Sequence, residues 1–165
     1  MCDCFILGRS PCRGLTWRKT CAHDSVHTTI MAPMSSTPTQ WHELPNAPSP
    51  GTLLGQLHEM GDGEARMLVW TSNETAPDKP FRYLLLRSGD TVRAYVNRCA
   101  HFGVPLAQKQ EHLLVQAHTS LTCNVHYARY DWHTGRCLGG DCDGEGLLAI
   151  PVAVDTQGHI TIGAA

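Results

Sequence analysis

The residues best suited to chemistry are four, in two short pairs. Cys99 and His101 sit one residue apart in "NRCAHFGVPL", and Cys123 and His126 sit two residues apart in "CNVH". Each pair follows an alternating run of apolar residues, as a loop follows a strand. If two such strand ends lie side by side, their loops present two soft thiolates and two imidazoles within a small space. Zinc accepts Cys₂His₂ sets, but its paired ligands are normally separated by about two to four residues. One intervening residue on an extended loop turns Cys99 and His101 toward opposite sides, which suits two different metal atoms better than one small ion. The second pair can then supply one ligand to each atom.

A two-iron cluster with two cysteines on one iron and two histidines on the other meets that demand. The spacing favours this cluster and leaves zinc as the alternative.

"CAHFGVPL" followed by "CNVHYARYDWHTGRCLGGDC" resembles the Rieske ferredoxin family. Its pattern is C-x-H-x-G-x-P-L, a spacer, C-x-x-H and a short Tyr/Phe-Asp-x-x-x-Gly turn. Gly103, Pro105, Leu106, Asp131 and Gly135 fall in register with it. The resemblance covers roughly residues 52–164. It implies an antiparallel β-sandwich or barrel with a small cluster-binding subdomain at one tip, and one 2Fe-2S cluster per chain. It further implies that His101 and His126 bind the outer iron and Cys99 and Cys123 the inner one.

The chain also departs from the pattern. Tyr127 stands where the family usually has glycine, so a side chain there must avoid positive φ or bear strain. Ala100 replaces a common proline. High-potential members bridge their two loops with an extra cysteine pair; Val104, Asn124 and Val125 leave no such bridge here. Those members also place a serine two residues after the second histidine, where this chain has Ala128. The tyrosine four residues after that histidine is kept as Tyr130, in place to donate to the Cys99 sulfur. Hydrogen bonds to cluster sulfurs favour the reduced state, so losing one donor implies the low end of the Rieske range, about −150 mV.

The elements that must position these loops are read from the rest of the chain. Its 165 residues fit one domain by length. The net charge of −2 gives no electrostatic case for nucleic acid or an anionic membrane surface. No apolar run approaches the roughly 20 residues of a bilayer span. Residues 1–50 include "MAPMSSTPTQ" and "LPNAPSPG" and lack sustained periodicity, which reads as a flexible, disordered N-terminal extension. From residue 51 to 165 the expectation is an all-β Rieske 2Fe-2S domain. "EARMLVWTS" is strand-like, and "FRYLLLRSGDTVRAYVNRC" reads as two strands about "SGD", with Val92, Ala94 and Val96 on one face. "LLVQAHTSLTC" (113–123) reads as one strand, "ARYDWHTGRCL" as two very short strands about "HTG", and "LAIPVAVDTQGHITIG" as a closing hairpin.

Eight cysteines would suggest disulfides in a secreted protein. "MCDCFILGRS" lacks a basic head and an apolar core, so the expectation is a reducing cytoplasm, with a transit peptide as a weaker reading. On that basis Cys137 and Cys142 read as free structural thiols, and Cys2, Cys4, Cys12 and Cys21 as thiols of the extension. His112, His118 and His133 read as surface residues, Trp70 and Trp132 as packing residues, and "GGDCDGEG" as a solvated loop lacking the spacing of a calcium site.

The function these expectations imply is electron transfer, one electron at a time, from a reductase to an oxygenase or other terminal enzyme. The stretch after the second loop is too short for a further catalytic domain with a mononuclear iron, so the chain reads as a carrier or oxidoreductase component rather than as an enzyme on its own. The alternatives are a small Rieske-fold subunit of a larger reductase, such as assimilatory nitrite reductase, and a zinc-stabilised interaction module.

Overall fold

The run "YLLL" at 83–86 explains much of the architecture. Tyr83, Leu84, Leu85 and Leu86 are all buried, so this strand is covered on both faces and loses the usual polar alternation. The computed structural model describes residues 40–71 and 80–163. In chain order the strands are β1 (Leu53–Gln56), β2 (Ala65–Trp70), β3 (Phe81–Ser88), β4 (Thr91–Val96), β5 (Leu114–Gln116) and β6 (Ser120–Thr122). They continue with β7 (Arg129–Asp131), β8 (Cys137–Gly139), β9 (Ala149–Ile150), β10 (Val152–Val154) and β11 (His159–Ile162). The regular helical segments among the described residues are single 3₁₀ turns, so the fold is all-β as expected.

The strands form antiparallel sheets ordered β1-β11-β10, β2-β3-β4-β9 and β5-β6-β7-β8. The β3–β4 hairpin turns through two residues, with Ser88 opposite Thr91. Its middle strand β3 separates two cores, because successive side chains point to opposite faces. On one face Leu84 and Leu86 join Tyr95, Leu106, Leu121, Tyr130 and Trp132. On the other, Tyr83 and Leu85 join Val92, Ala94, Val96, Ile150, Ile160 and Ile162. The expected shared face of Val92, Ala94 and Val96 is thus the base core, and the third sheet rides on the opposite face.

Two expectations need correction. Residues 113–123 form a hairpin of β5 and β6, not one strand. The Thr119 amide donates to the Gln116 carbonyl at 2.9 Å, and His118 takes φ 58°, which ends the extended run. The boundary at residue 51 also falls late. Trp41 is 4% exposed and packs in the base core, so the folded part already includes residues 40–50. A single large anchor among prolines and serines leaves no periodicity to read. Residues 1–39, with Cys2, Cys4, Cys12 and Cys21, lie outside the described residues.

Side-chain amides tie the segment before β5 to the β2-β3-β4-β9 sheet. Gln110 accepts from the Met67 amide at 2.6 Å and donates to the Ala65 carbonyl at 2.9 Å, taking up the open edge of β2. Asn97, buried at the end of β4, donates to the Ala107 carbonyl at 2.8 Å and fixes the base of the first loop.

Candidate metal centre

Both expected ligand loops are built on one hydrogen-bond plan. In the first, the Cys99 amide donates to the Val104 carbonyl at 2.7 Å and the Gly103 amide to the Cys99 carbonyl at 2.8 Å. In the second, the Cys123 amide donates to the Ala128 carbonyl at 2.9 Å and the Tyr127 amide to the Cys123 carbonyl at 3.0 Å. Gly103 and Tyr127 therefore occupy equivalent places, and both have positive φ, 67° and 59°. The strain expected at Tyr127 is real: the turn demands a left-handed residue, and tyrosine supplies it with its ring 69% exposed. The Asn124 amide donates to the Leu106 carbonyl at 3.0 Å and holds the two loops together.

This plan brings the four expected residues to one tip. Cys99 and Cys123 are fully buried, His101 is half-buried and His126 is exposed. The two imidazole centroids lie 5.6 Å apart with their planes at 79°. Cys99 and Cys123 are the free cysteines among the described residues, and their thiols face one another closely enough to interact. Burial pushes the Cys123 thiol up, while the amides of Val125 and His126 point at its sulfur and pull the other way. Such amides suit a sulfur carrying negative charge, as a metal-bound thiolate does. Tyr130 places its hydroxyl 3.0 Å from the Cys99 sulfur, and burial and that neighbour both raise its pKa.

The donor set fits a two-iron cluster. His101 Nδ1 is buried and has no hydrogen-bond partner, a costly state that a metal bond would relieve. Among the described residues, no three His, Cys, Asp or Glu side chains converge as a single-ion site requires. Two ligands for each of two metals needs no such convergence, and the spacing of the pairs carries the preference for the cluster over zinc.

Phe102 was not singled out by the sequence. Its ring lies 3.8 Å from that of His101 and 4.9 Å from that of His126, yet it is 62% exposed, so it caps the imidazole pair. Nothing in the spacing of the ligands marks that role. Cys137 and Cys142, expected as free thiols, are joined by a disulfide (S–S 2.03 Å, Cα–Cα 5.7 Å). The fold of "CLGGDC" brings their side chains together, which sequence separation alone does not reveal. Of the remaining candidates, Trp132 is fully buried and Trp70 partly so, as packing residues; His112 and His133 are exposed. His118 is also exposed but is engaged, with Nδ1 3.2 Å from the Ser88 hydroxyl and its ring 5.9 Å from that of Trp132.

The family described as Rieske [2Fe-2S] domain matches residues 54–153. No curated protein matches the chain. Among solved structures, the ferredoxin of carbazole 1,9a-dioxygenase from Nocardioides aromaticivorans IC177 matches with a TM-score of 0.53 and 21% identity, over 71% of this chain and 100% of that one. The terminal oxygenase of carbazole 1,9a-dioxygenase from Novosphingobium sp. KA1 matches at 0.51 and 19% identity, over 69% of this chain and 30% of the oxygenase. A reduced complex between oxygenase and ferredoxin in carbazole 1,9a-dioxygenase matches at 0.51 and 20% identity, over 69% of this chain and 28% of that one. At these identities the structural likeness speaks for the fold, while the match over 54–153 covers most of the chain. The chain belongs to the Rieske [2Fe-2S] domain family, and a 2Fe-2S cluster is its cofactor.

Proposed function

We propose that this chain is a one-electron carrier that takes electrons from a reductase and delivers them to an oxygenase or another terminal enzyme. Cys99 and Cys123 hold the inner iron in this reading, and His101 and His126 the outer one. The observation that carries it is the gradient of burial across the tip: both sulfurs are sealed in, while His126 reaches the surface beneath Phe102. When bound, the cluster supplies a single electron at a time. The chain does the rest. Amides of the second loop and the Tyr130 hydroxyl offset negative charge on the sulfurs. The closely packed core around Leu106, Leu121 and Trp132 excludes water from them. The exposed rim of Phe102, Val125 and Tyr127 offers an apolar contact to a partner.

The match over the full length of a ferredoxin that serves a dioxygenase supports a free-standing carrier, and the likeness to complexes of such proteins supports an oxygenase as the acceptor. The functional unit then runs from residue 40, preceded by the extension. Residence in the cytoplasm belongs to the same proposal; no helix among the described residues is long and apolar enough to cross a membrane.

Reconstitution with iron and sulfide tests the assignment. Two irons and two sulfides per chain are expected, with uptake of one electron in a controlled-potential titration. The midpoint should fall between about −150 and +300 mV, the window of histidine-ligated two-iron centres. His101→Ala and His126→Ala should each lose the cluster. A colourless protein holding stoichiometric zinc, or clusters retained by both variants, would refute the assignment.

A further inference from the structure

The Cys137–Cys142 disulfide is absent from the family pattern and lies against the second ligand loop. Cys137 in β8 is paired directly with Tyr130 in β7, the residue that reaches the Cys99 sulfur. The ring closed by the disulfide contains Gly140, at φ 92°, so close to the loop that a Cβ there would stand 2.8 Å from the Ala128 Cα. The Ala128 carbonyl in turn accepts from the Cys123 amide. Cys142 is buried in the core that contains Cys99 and Cys123, whereas Cys137 is half-buried at its margin. A disulfide in a reducing compartment is transient or redox-sensing far more often than structural.

The geometry points to Cys137–Cys142 as a thiol-exchange site that locks the second ligand loop, opened by a dithiol reductant of the cell. A thiolate of the reductant attacks the accessible Cys137 sulfur; the S–S bond breaks, and Cys142 leaves and takes a proton. The reductant's second thiolate then attacks its own sulfur in the mixed disulfide, and Cys137 departs and is protonated. Two electrons and two protons pass to the chain, and the dithiol closes to a disulfide. Once the ring is open, residues 138–141 are no longer held against Ala128. The turn that presents Cys123 and His126, and the strand that presents Tyr130, loosen together. The effect on iron retention rests on the ligand assignment above; the exchange and the loosening are properties of the polypeptide and are read separately from it.

The test uses the full chain reconstituted with iron and sulfide and dithiothreitol as the dithiol. After exposure of the folded chain to dithiothreitol, acid quench, alkylation in denaturant and digestion, the peptide holding Cys137 and Cys142 should carry two labels if dithiothreitol was added and none otherwise. Amide exchange across residues 123–130 should become about tenfold faster on reduction. Cys137→Ser, which leaves the buried Cys142 side chain in place, should show the faster exchange without reductant and no further response to it. A bond that resists dithiothreitol until the chain unfolds would overturn the proposal. So would a bond that opens with exchange at 123–130 unchanged.

Discussion

The Tyr130 hydroxyl lies 3.0 Å from the Cys99 sulfur and 3.1 Å from the Ala100 amide, from which it accepts. A metal-bound thiolate at Cys99 carries no proton and can only accept, so in the loaded protein the hydroxyl donates to the sulfur. A donor there stabilises the more negative, reduced state. Tyr130→Phe should therefore lower the midpoint potential by about 40–90 mV, the one-electron equivalent of roughly 1–2 kcal/mol. Protein-film voltammetry of the two proteins reads this directly, and equal midpoints would contradict it.

Tyr127 carries positive φ with its side chain in solvent, so its ring adds little to packing while its Cβ costs conformational energy. Comparing Tyr127→Gly with Tyr127→Ala isolates that cost, since both remove the ring. The glycine variant should be more stable by about 1 kcal/mol in urea titrations. The reverse order would mean that the turn relaxes out of the left-handed region.

Gly135 ends the turn after β7 at φ 69°, and a Cβ there would stand 2.6 Å from Cε1 of buried Tyr95. Tyr95 cannot withdraw easily: it is fully buried, and its hydroxyl donates to the Trp132 carbonyl at 3.3 Å. Gly135→Ala should cost roughly 2–4 kcal/mol, from backbone strain and overpacking together. Thermal unfolding within error of the parent would show that the close approach is soft.

Asp131 organises the same turn by accepting from the Thr134 amide at 2.7 Å, the Thr134 hydroxyl at 2.8 Å and the His133 amide at 3.0 Å. These bonds, with those from Thr134 the largest, hold its folded pKa below the ordinary value near 3.8. Between the two values the unfolded chain binds a proton that the folded chain does not. Stability from this group is thus complete above the ordinary value and lost as pH falls through the lowered one. Asp131→Asn keeps an acceptor oxygen but removes the charge. It should be less stable by about 1 kcal/mol at neutral pH, with the gap closing in acid below the ordinary carboxylate value. Parallel stability curves through that window would contradict the linkage.

Trp41 tests where the folded part starts. Truncation to alanine should cost about 3–5 kcal/mol, the range for a large aromatic in a core. A near-neutral result in urea unfolding would return residues 40–50 to the extension.

The meeting of the two expected pairs at one tip was legible because each pair is local: one or two residues separate Cys99 from His101 and Cys123 from His126, so spacing carries much of the geometry. The β3–β4 hairpin was legible from its alternation, and the strain at Tyr127 from the glycine it replaces. What escaped notice depends on proximity between distant or unpatterned residues. Trp41 is an isolated anchor in a proline-rich stretch, and Phe102 acts through the ring it covers. His118 bends a run that reads as extended, since a histidine in a left-handed turn has no sequence signature. Cys137 and Cys142 pair because "LGGD" folds back on itself, whereas the presumed reducing compartment argued for free thiols.

One consequence follows from β3 being walled in on both sides. Each face seals its own set of side chains, so the platform of Trp41, Leu85 and Ile160 does not draw on the half that houses the sulfurs. A chain without iron is expected to keep that platform, with any slackening confined to the far end. Biogenesis can then proceed in two stages, a scaffold that matures on its own and a redox head that sets when metal arrives, so the inorganic part completes the molecule instead of nucleating it.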